Sequence, residues 1–145
     1  MNKEIIIGSD HGGFSLKSFL IEHLSKMGYQ IEDVGCHNAQ SIHYPVIAKK
    51  VASRISSGEA ERGILICGTG IGMSIAANRF KNVRATLCHD HFDARMSREH
   101  NDSNILVLGG RTTGEEVALD ILNTWLDIEF AGGRHLERIN MFDQT

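Results

Sequence analysis

The sequence has no CxxC pair, no apolar stretch near membrane-spanning length and no excess of positive charge. Each absence removes a class of protein. The three cysteines, Cys36, Cys67 and Cys88, cannot all pair with one another, which argues against a disulfide-stapled fold and for a reducing cytoplasm. A formal net charge of −3 and a pI near 6.2 offer no basic field for nucleic acid. The first apolar run, Ile5-Ile6-Ile7, is too short for a signal peptide and lacks a small-residue cleavage site. No segment approaches the roughly 20 apolar residues of a membrane-spanning helix. Repeats, low-complexity tracts and linkers are missing too.

What is present is ordinary in size and balance. The chain has 145 residues, 41% of them hydrophobic and 23% charged, enough to bury a core without disulfides or metals. A single domain over residues 1–145 is expected, with a helical tail from about residue 133.

Five short apolar runs alternate with helix-like segments: Ile5-Ile6-Ile7, Tyr29–Val34, Gly63–Cys67, Val83–Cys88 and Ile105–Leu108. They are β-branched and continuous, which suits strands covered on both faces. Between them Leu16, Phe19, Leu20, Leu24 and Met27 recur at helical spacing, with Gly28 where a C-terminal cap belongs. Pro45 fits a first helical turn ahead of the stripe Ile47, Val51 and Ile55, which Gly58 ends. Thr113 with Glu116 reads as a capping box before Val117, Ile121, Leu122 and Trp125. Asp90 and Asp93 place acidic groups at another helix start. Strands alternating with helices imply a parallel sheet with right-handed crossovers, hence a five-stranded, three-layer α/β/α sandwich of Rossmann-like type. In such folds ligands bind outside the carboxyl ends of the strands.

Four of those ends carry groups able to handle protons or anions: Gly8-Ser9-Asp10-His11-Gly12-Gly13, Cys67-Gly68-Thr69-Gly70-Ile71-Gly72, Cys88-His89-Asp90-His91 and Gly109-Gly110-Arg111. In the second, glycines let backbone N–H groups turn toward an oxyanion or phosphate, and a thiol beside them can act as base or nucleophile. A buried, inert cysteine with glycines for tight packing fits the same residues. Dinucleotide binding fits poorly, because the GxGxxG pattern needs glycine where Met73 stands. His89, Asp90, His91 and Asp93 read more simply as a solvated helix start than as a metal site. Asp10-His11 is open between a helix cap and an acid–base pair. Arg134 and Arg138, four apart, share a helix face that suits a phosphate, although a solvated helix paired with Glu137 is the plainer reading. These patterns point to a small phosphorylated molecule and leave the reaction open.

The motifs taken together resemble the type B ribose-5-phosphate isomerases, a family that includes allose- and galactose-6-phosphate isomerases. They are Gly8-Ser9-Asp10-His11-Gly12-Gly13-Phe14, Ile64 through Gly72, Ser97-Arg98-Glu99-His100-Asn101-Asp102, Gly109-Gly110-Arg111 and Gly132 through Arg138. The resemblance implies an aldose–ketose isomerase that needs neither metal nor cofactor and works through a cis-enediolate. It implies that Cys67 shuttles the proton between C2 and C1, and that His100 opens the sugar ring with Asp10 nearby. It assigns hydroxyl and enediolate contacts to Gly68, Thr69, Gly70, Ile71, Gly72 and Asn101, with Thr69 among the catalytic groups and Tyr44 among those that bind substrate. It assigns the phosphate to His11, Arg111, Arg134 and Arg138. It further implies a homodimer, or a dimer of dimers, whose sites take residues from both subunits.

One position departs from the pattern. Ribose enzymes of this family often carry Asp-Tyr-Pro where this chain has His43-Tyr44-Pro45, and galactose-6-phosphate relatives can carry histidine there. The paired arginines and the His100-Asn101 pair favour ribose 5-phosphate, with a six-carbon phosphosugar as runner-up. A non-catalytic phosphosugar sensor on the same fold, and a metal hydrolase using His89 and His91, are the rival classes.

Overall fold

The computed structural model describes residues 2–144. Its strands are β1 (Glu4–Ser9), β2 (Gln30–Asp33), β3 (Gly63–Cys67), β4 (Ala85–Leu87) and β5 (Ile105–Gly109). Its helices are α1 (Phe14–Lys26), α2 (Tyr44–Ser56), α3 (Ile71–Ala77), α4 (His91–Glu99), α5 (Glu115–Asp127) and α6 (Arg134–Ile139). All strand pairs are parallel and the order is β2-β1-β3-β5-β4. Among the described residues no helix is long and apolar enough to cross a membrane.

The continuous apolar runs are explained by position. β3 and β5, interior to the sheet, are buried at every residue, and β1 is buried from Ile5 onward. One face carries α1, α4 and α5, packed through Leu20, Leu24, Ala94, Ile121, Leu122 and Trp125 against Ile7, Ile64, Ile66, Leu106 and Leu108. The other carries α2 and α3, through Ile47, Val51, Met73 and Ala77, against Ile6, Leu65 and Val107. β2 differs from expectation because it is an edge strand: it alternates exposed and half-buried residues, and among the described residues no strand pairs with its outer side.

Helix boundaries follow the expected punctuation with two corrections. Gly28 and Gly58 take positive φ just past α1 and α2, Pro45 stands in the first turn of α2, and Asp90 caps α4 by accepting from the Asp93 N–H at 2.8 Å. The Thr113–Glu116 capping box does not form. The Thr113 N–H closes a tight turn on the Gly109 carbonyl at 3.0 Å, so the N-cap falls on Gly114, without a side-chain cap. Val117 lies outside the buried stripe, 46% exposed, and Ala118 takes the inward position. The parallel topology also sorts the loops: those that follow a strand lie at the carboxyl end of the sheet, and those that precede one lie at the opposite end.

Candidate active site

Three loops are laced together at the carboxyl end. Cys67 closes β3 in register with Gly109 of β5. Its carbonyl accepts the Gly110 N–H at 2.8 Å, and the Gly68 carbonyl accepts the Arg111 N–H at 2.9 Å. The loop after β1 closes on the same point, since a Cβ on Gly12 would lie 3.1 Å from the Gly68 nitrogen. Within that loop Asp10 Oδ1 accepts the N–H groups of Gly12 and Gly13 at 2.9 and 3.2 Å. Asp10 therefore organises the turn into α1, although the N-cap residue itself is Gly13.

Cys67 is 5% exposed, and its sulfur accepts the Gly70 N–H at 3.2 Å. Gly70 holds φ at +81°, and a Cβ there would strike Leu87 at 2.5 Å, so only glycine turns this amide back onto the thiol. An N–H aimed at sulfur stabilises a thiolate, the form that acts as base or nucleophile. The other two cysteines offer nothing similar. Cys36 is buried beside the Ser9 hydroxyl, and burial pushes the Cys88 thiol up to about 11.

The rim is made by side chains from several elements. Thr69 is exposed, and its hydroxyl oxygen accepts the Ile71 N–H at 3.2 Å. The Tyr44 ring lies directly on Gly72, where a Cβ would fall 2.2 Å from Cε1. His11 is exposed and accepts the Ile42 N–H on Nδ1 at 3.3 Å. The Arg111 guanidinium passes over Gly68, where a Cβ would lie 3.4 Å from Nη1, and makes no ion pair among the described residues. Asp10, His11, Tyr44, Arg111 and the Cys67–Gly72 loop are thus brought to one place.

His100, Asn101, Arg134 and Arg138 are not there. α4 runs back across the sheet, so His100, its C-cap, lies at the opposite end. β5 alone, Ile105–Gly109, puts roughly 13 Å between the two ends at about 3.3 Å per residue. At that opposite end the four residues form a second cluster. Arg98 bonds Asp102 at 3.0 Å and the Ile128 carbonyl at 3.1 Å, which pins the turn carrying His100 and Asn101. The tail docks on that turn through the Ala131 N–H to the Glu99 carbonyl, 3.0 Å. The His135 ring then stacks on His100, centroids 4.2 Å apart and planes 13° from parallel. Partial burial, then the positive neighbours His100, Arg134 and Arg138, hold His135 below the ordinary imidazole range. Arg134 and Arg138 are exposed and paired with no acid among the described residues, Glu137 included. Sequence reasoning gave His135 no role; its stacking partner lies 35 residues away, and no local pattern signals such a contact.

The histidines after β4 do not converge. His89 sits 3.6 Å from Asp93, whereas His91 turns to the Thr124 hydroxyl at 3.0 Å and Asp120 at 3.4 Å. Among the described residues no three metal-ligating side chains gather into a candidate site.

A family model described as "Ribose/Galactose Isomerase" matches residues 5–142. Ribose-5-phosphate isomerase B of Escherichia coli is 44% identical over 137 residues, covering 94% of this chain and 92% of that protein. Among solved structures, the Clostridium thermocellum ribose-5-phosphate isomerase B is 52% identical with a TM-score of 0.95, over 97% of this chain and 95% of its own. A ribose 5-phosphate isomerase from Thermotoga maritima is 48% identical with a TM-score of 0.97 over the full length of both.

Proposed function

The chain belongs to the ribose/galactose isomerase family, and on that premise we propose that it interconverts ribose 5-phosphate and ribulose 5-phosphate through a cis-enediolate. The observation that carries the chemistry is the Cys67 thiol, set against the Gly70 N–H at the point where three polar loops meet. As thiolate, Cys67 takes the C2 proton of the open-chain aldose. Negative charge passes to the carbonyl oxygen at C1, which takes up the proton that the C2 hydroxyl gives up; the same sulfur returns the carbon-bound proton to C1, and C2 becomes the ketone. A proton beside a carbonyl leaves only when the developing oxyanion is stabilised, a task that suits the N–H groups opening α3 and the Thr69 hydroxyl. Gly68, Ile71, Gly72 and Tyr44 shape the sugar subsite. Asp10 and His100 serve ring opening, and Asn101 holds a hydroxyl. His11, Arg111, Arg134 and Arg138 bind the phosphate.

Since one chain keeps Cys67 and His100 at opposite ends of its sheet, a complete site needs a second copy. Ile71 and Ile75, each more than half exposed, form an apolar strip beside the Cys67 loop, and Leu136, Met141 and Phe142 do so beside the arginines. A two-fold pairing of these ends buries both strips and joins each thiol to the partner's cluster. The three free thiols support a cytoplasmic setting.

His43, the residue that pointed toward six-carbon sugars, stands at the N-cap of α2 without a capping bond. The paired Arg134 and Arg138 and the His100-Asn101 pair support the pentose reading over it. The test is a kinetic comparison of ribose 5-phosphate, allose 6-phosphate and galactose 6-phosphate. Ribose 5-phosphate is expected to have the highest kcat/KM. A higher value for either six-carbon substrate overturns the assignment, and no turnover of any of the three returns the chain to a sensor.

A further inference from the structure

Lys17 is fully buried in the first turn of α1, and none of the chemistry above uses it. A buried ammonium persists only when paired and hydrogen-bonded. Lys17 Nζ meets Asp33 Oδ1 at 2.7 Å, donates to the Cys36 carbonyl, and lies 5.5 Å from the centroid of the Phe14 ring. Replacing such a pair with apolar groups is often neutral or stabilising, so stability alone does not account for it.

The contacts show what the pair joins. Asp33 ends β2, and the same Oδ1 accepts the Gly35 N–H at 2.9 Å. The Ser9 N–H donates to the Gly35 carbonyl at 2.7 Å, and the Cys36 N–H to the Ser9 carbonyl at 2.6 Å. The loop of residues 34–43 is therefore clamped at its start to β1 and α1, directly beneath Asp10 and His11. Its far end delivers the Ile42 N–H to His11 Nδ1. An imidazole nitrogen that accepts an N–H carries no proton, so the neutral ring keeps its proton on Nε2. Nε2 makes no hydrogen bond among the described residues. In this tautomer it offers an N–H to an anionic oxygen; in the other it would offer a lone pair and repel one.

We infer that Lys17 and Asp33 are a positioning pair that anchors the 34–43 loop, so that Ile42 fixes His11 as the Nε2–H tautomer facing the substrate phosphate. The phosphate half of this inference rests on the function proposed above; the tautomer half does not. Two-bond proton–nitrogen correlation spectra of the nitrogen-15-labelled protein, with His11 assigned through a His11→Gln variant, report the tautomer directly. The intact protein should show a neutral Nε2–H ring at pH 8. A Lys17→Met/Asp33→Asn double variant leaves no unpaired buried charge and should fold. It should give a mixed tautomer pattern and bind inorganic phosphate roughly three- to tenfold more weakly. KM for ribose 5-phosphate should rise by a similar factor while kcat changes less. Ile42→Pro, which removes the donor while leaving Lys17 and Asp33 in place, should give the same mixed pattern. A proton on Nδ1 in the intact protein overturns the inference, as does a double variant that keeps a pure Nε2–H pattern whatever its melting temperature. A mixed pattern with unchanged phosphate binding upholds the positioning pair and refutes His11 as a phosphate ligand.

Discussion

Cys67 and Cys88 are both buried thiols at strand ends, and what each sulfur faces sets them apart. Cys67 receives an amide N–H from Gly70. The Cys88 thiol donates instead to the carbonyl and hydroxyl oxygens of Thr86, and burial pushes it up to about 11, so at neutral pH it is protonated and inert. Cys67→Ser should therefore fold normally and lose turnover by on the order of a thousandfold, because a hydroxyl is a far weaker base. Cys88→Ser should retain turnover within about twofold. Steady-state assays with thermal melts check both, and equal losses in the two variants would remove Cys67 as the base.

At the level of elements, α2 starts without a side-chain cap because its N-cap residue is His43. Asp is a strong N-cap and carries the right charge for a helix start. His43→Asp should stabilise the fold by about 1 kcal/mol and leave the ranking of phosphosugars unchanged. Denaturant unfolding measures the first outcome, and a reversed ranking of five- and six-carbon substrates would show that residue 43 reads the sugar.

The docked tail makes a pH prediction. His135 titrates below the ordinary imidazole range because its proton would meet partial burial and a cluster of positive groups. A base whose folded value is depressed binds its proton more readily in the undocked chain. Docking is therefore complete above the ordinary imidazole range and weakens as the pH falls through it. Proton NMR should find the His135 midpoint below that of a free imidazole and find it raised by Arg138→Ala, because that variant removes a positive neighbour. An unshifted midpoint would show that the stack with His100 does not form in solution.

At the scale of the whole molecule, the proposed pairing of two copies turns on the two clusters that each chain holds at opposite ends of one sheet, the Cys67 loop and the His100–His135 stack. Arg134→Ala or Arg138→Ala alone should raise KM about ten- to a hundredfold, the worth of a charged hydrogen bond to phosphate. When Arg134→Ala protein is mixed with Cys67→Ser protein, heterodimers form in which one site receives an intact Cys67 from one chain and an intact Arg134 from the other. At substrate concentrations well below the raised KM, activity should recover to roughly a quarter of the wild-type level after random exchange. No recovery, with mixed dimers demonstrated by mass, would mean that each chain completes its own site.

The strands and most helix ends follow from local physics and were legible in order. Ile5-Ile6-Ile7, Gly63–Cys67 and Ile105–Leu108 are continuous and apolar because both faces are covered, and Gly28, Gly58, Pro45 and Asp90 act within a turn of their own residue. The Thr113–Glu116 box failed because the Gly109 carbonyl, four residues back at the end of β5, takes the Thr113 N–H in a tight turn. The pairing of His100 with His135 and the clamp between Lys17 and Asp33 join residues far apart in the chain, and no period or spacing records them. The sequence by itself determined which groups stand at which strand end, because alternation of strand and helix dictates a parallel sheet. Only the tertiary structure decided that His100 and the arginines lie at the other end of that sheet from Cys67: each helix must cross the sheet before the next parallel strand can begin, and it carries His100 away from the thiol.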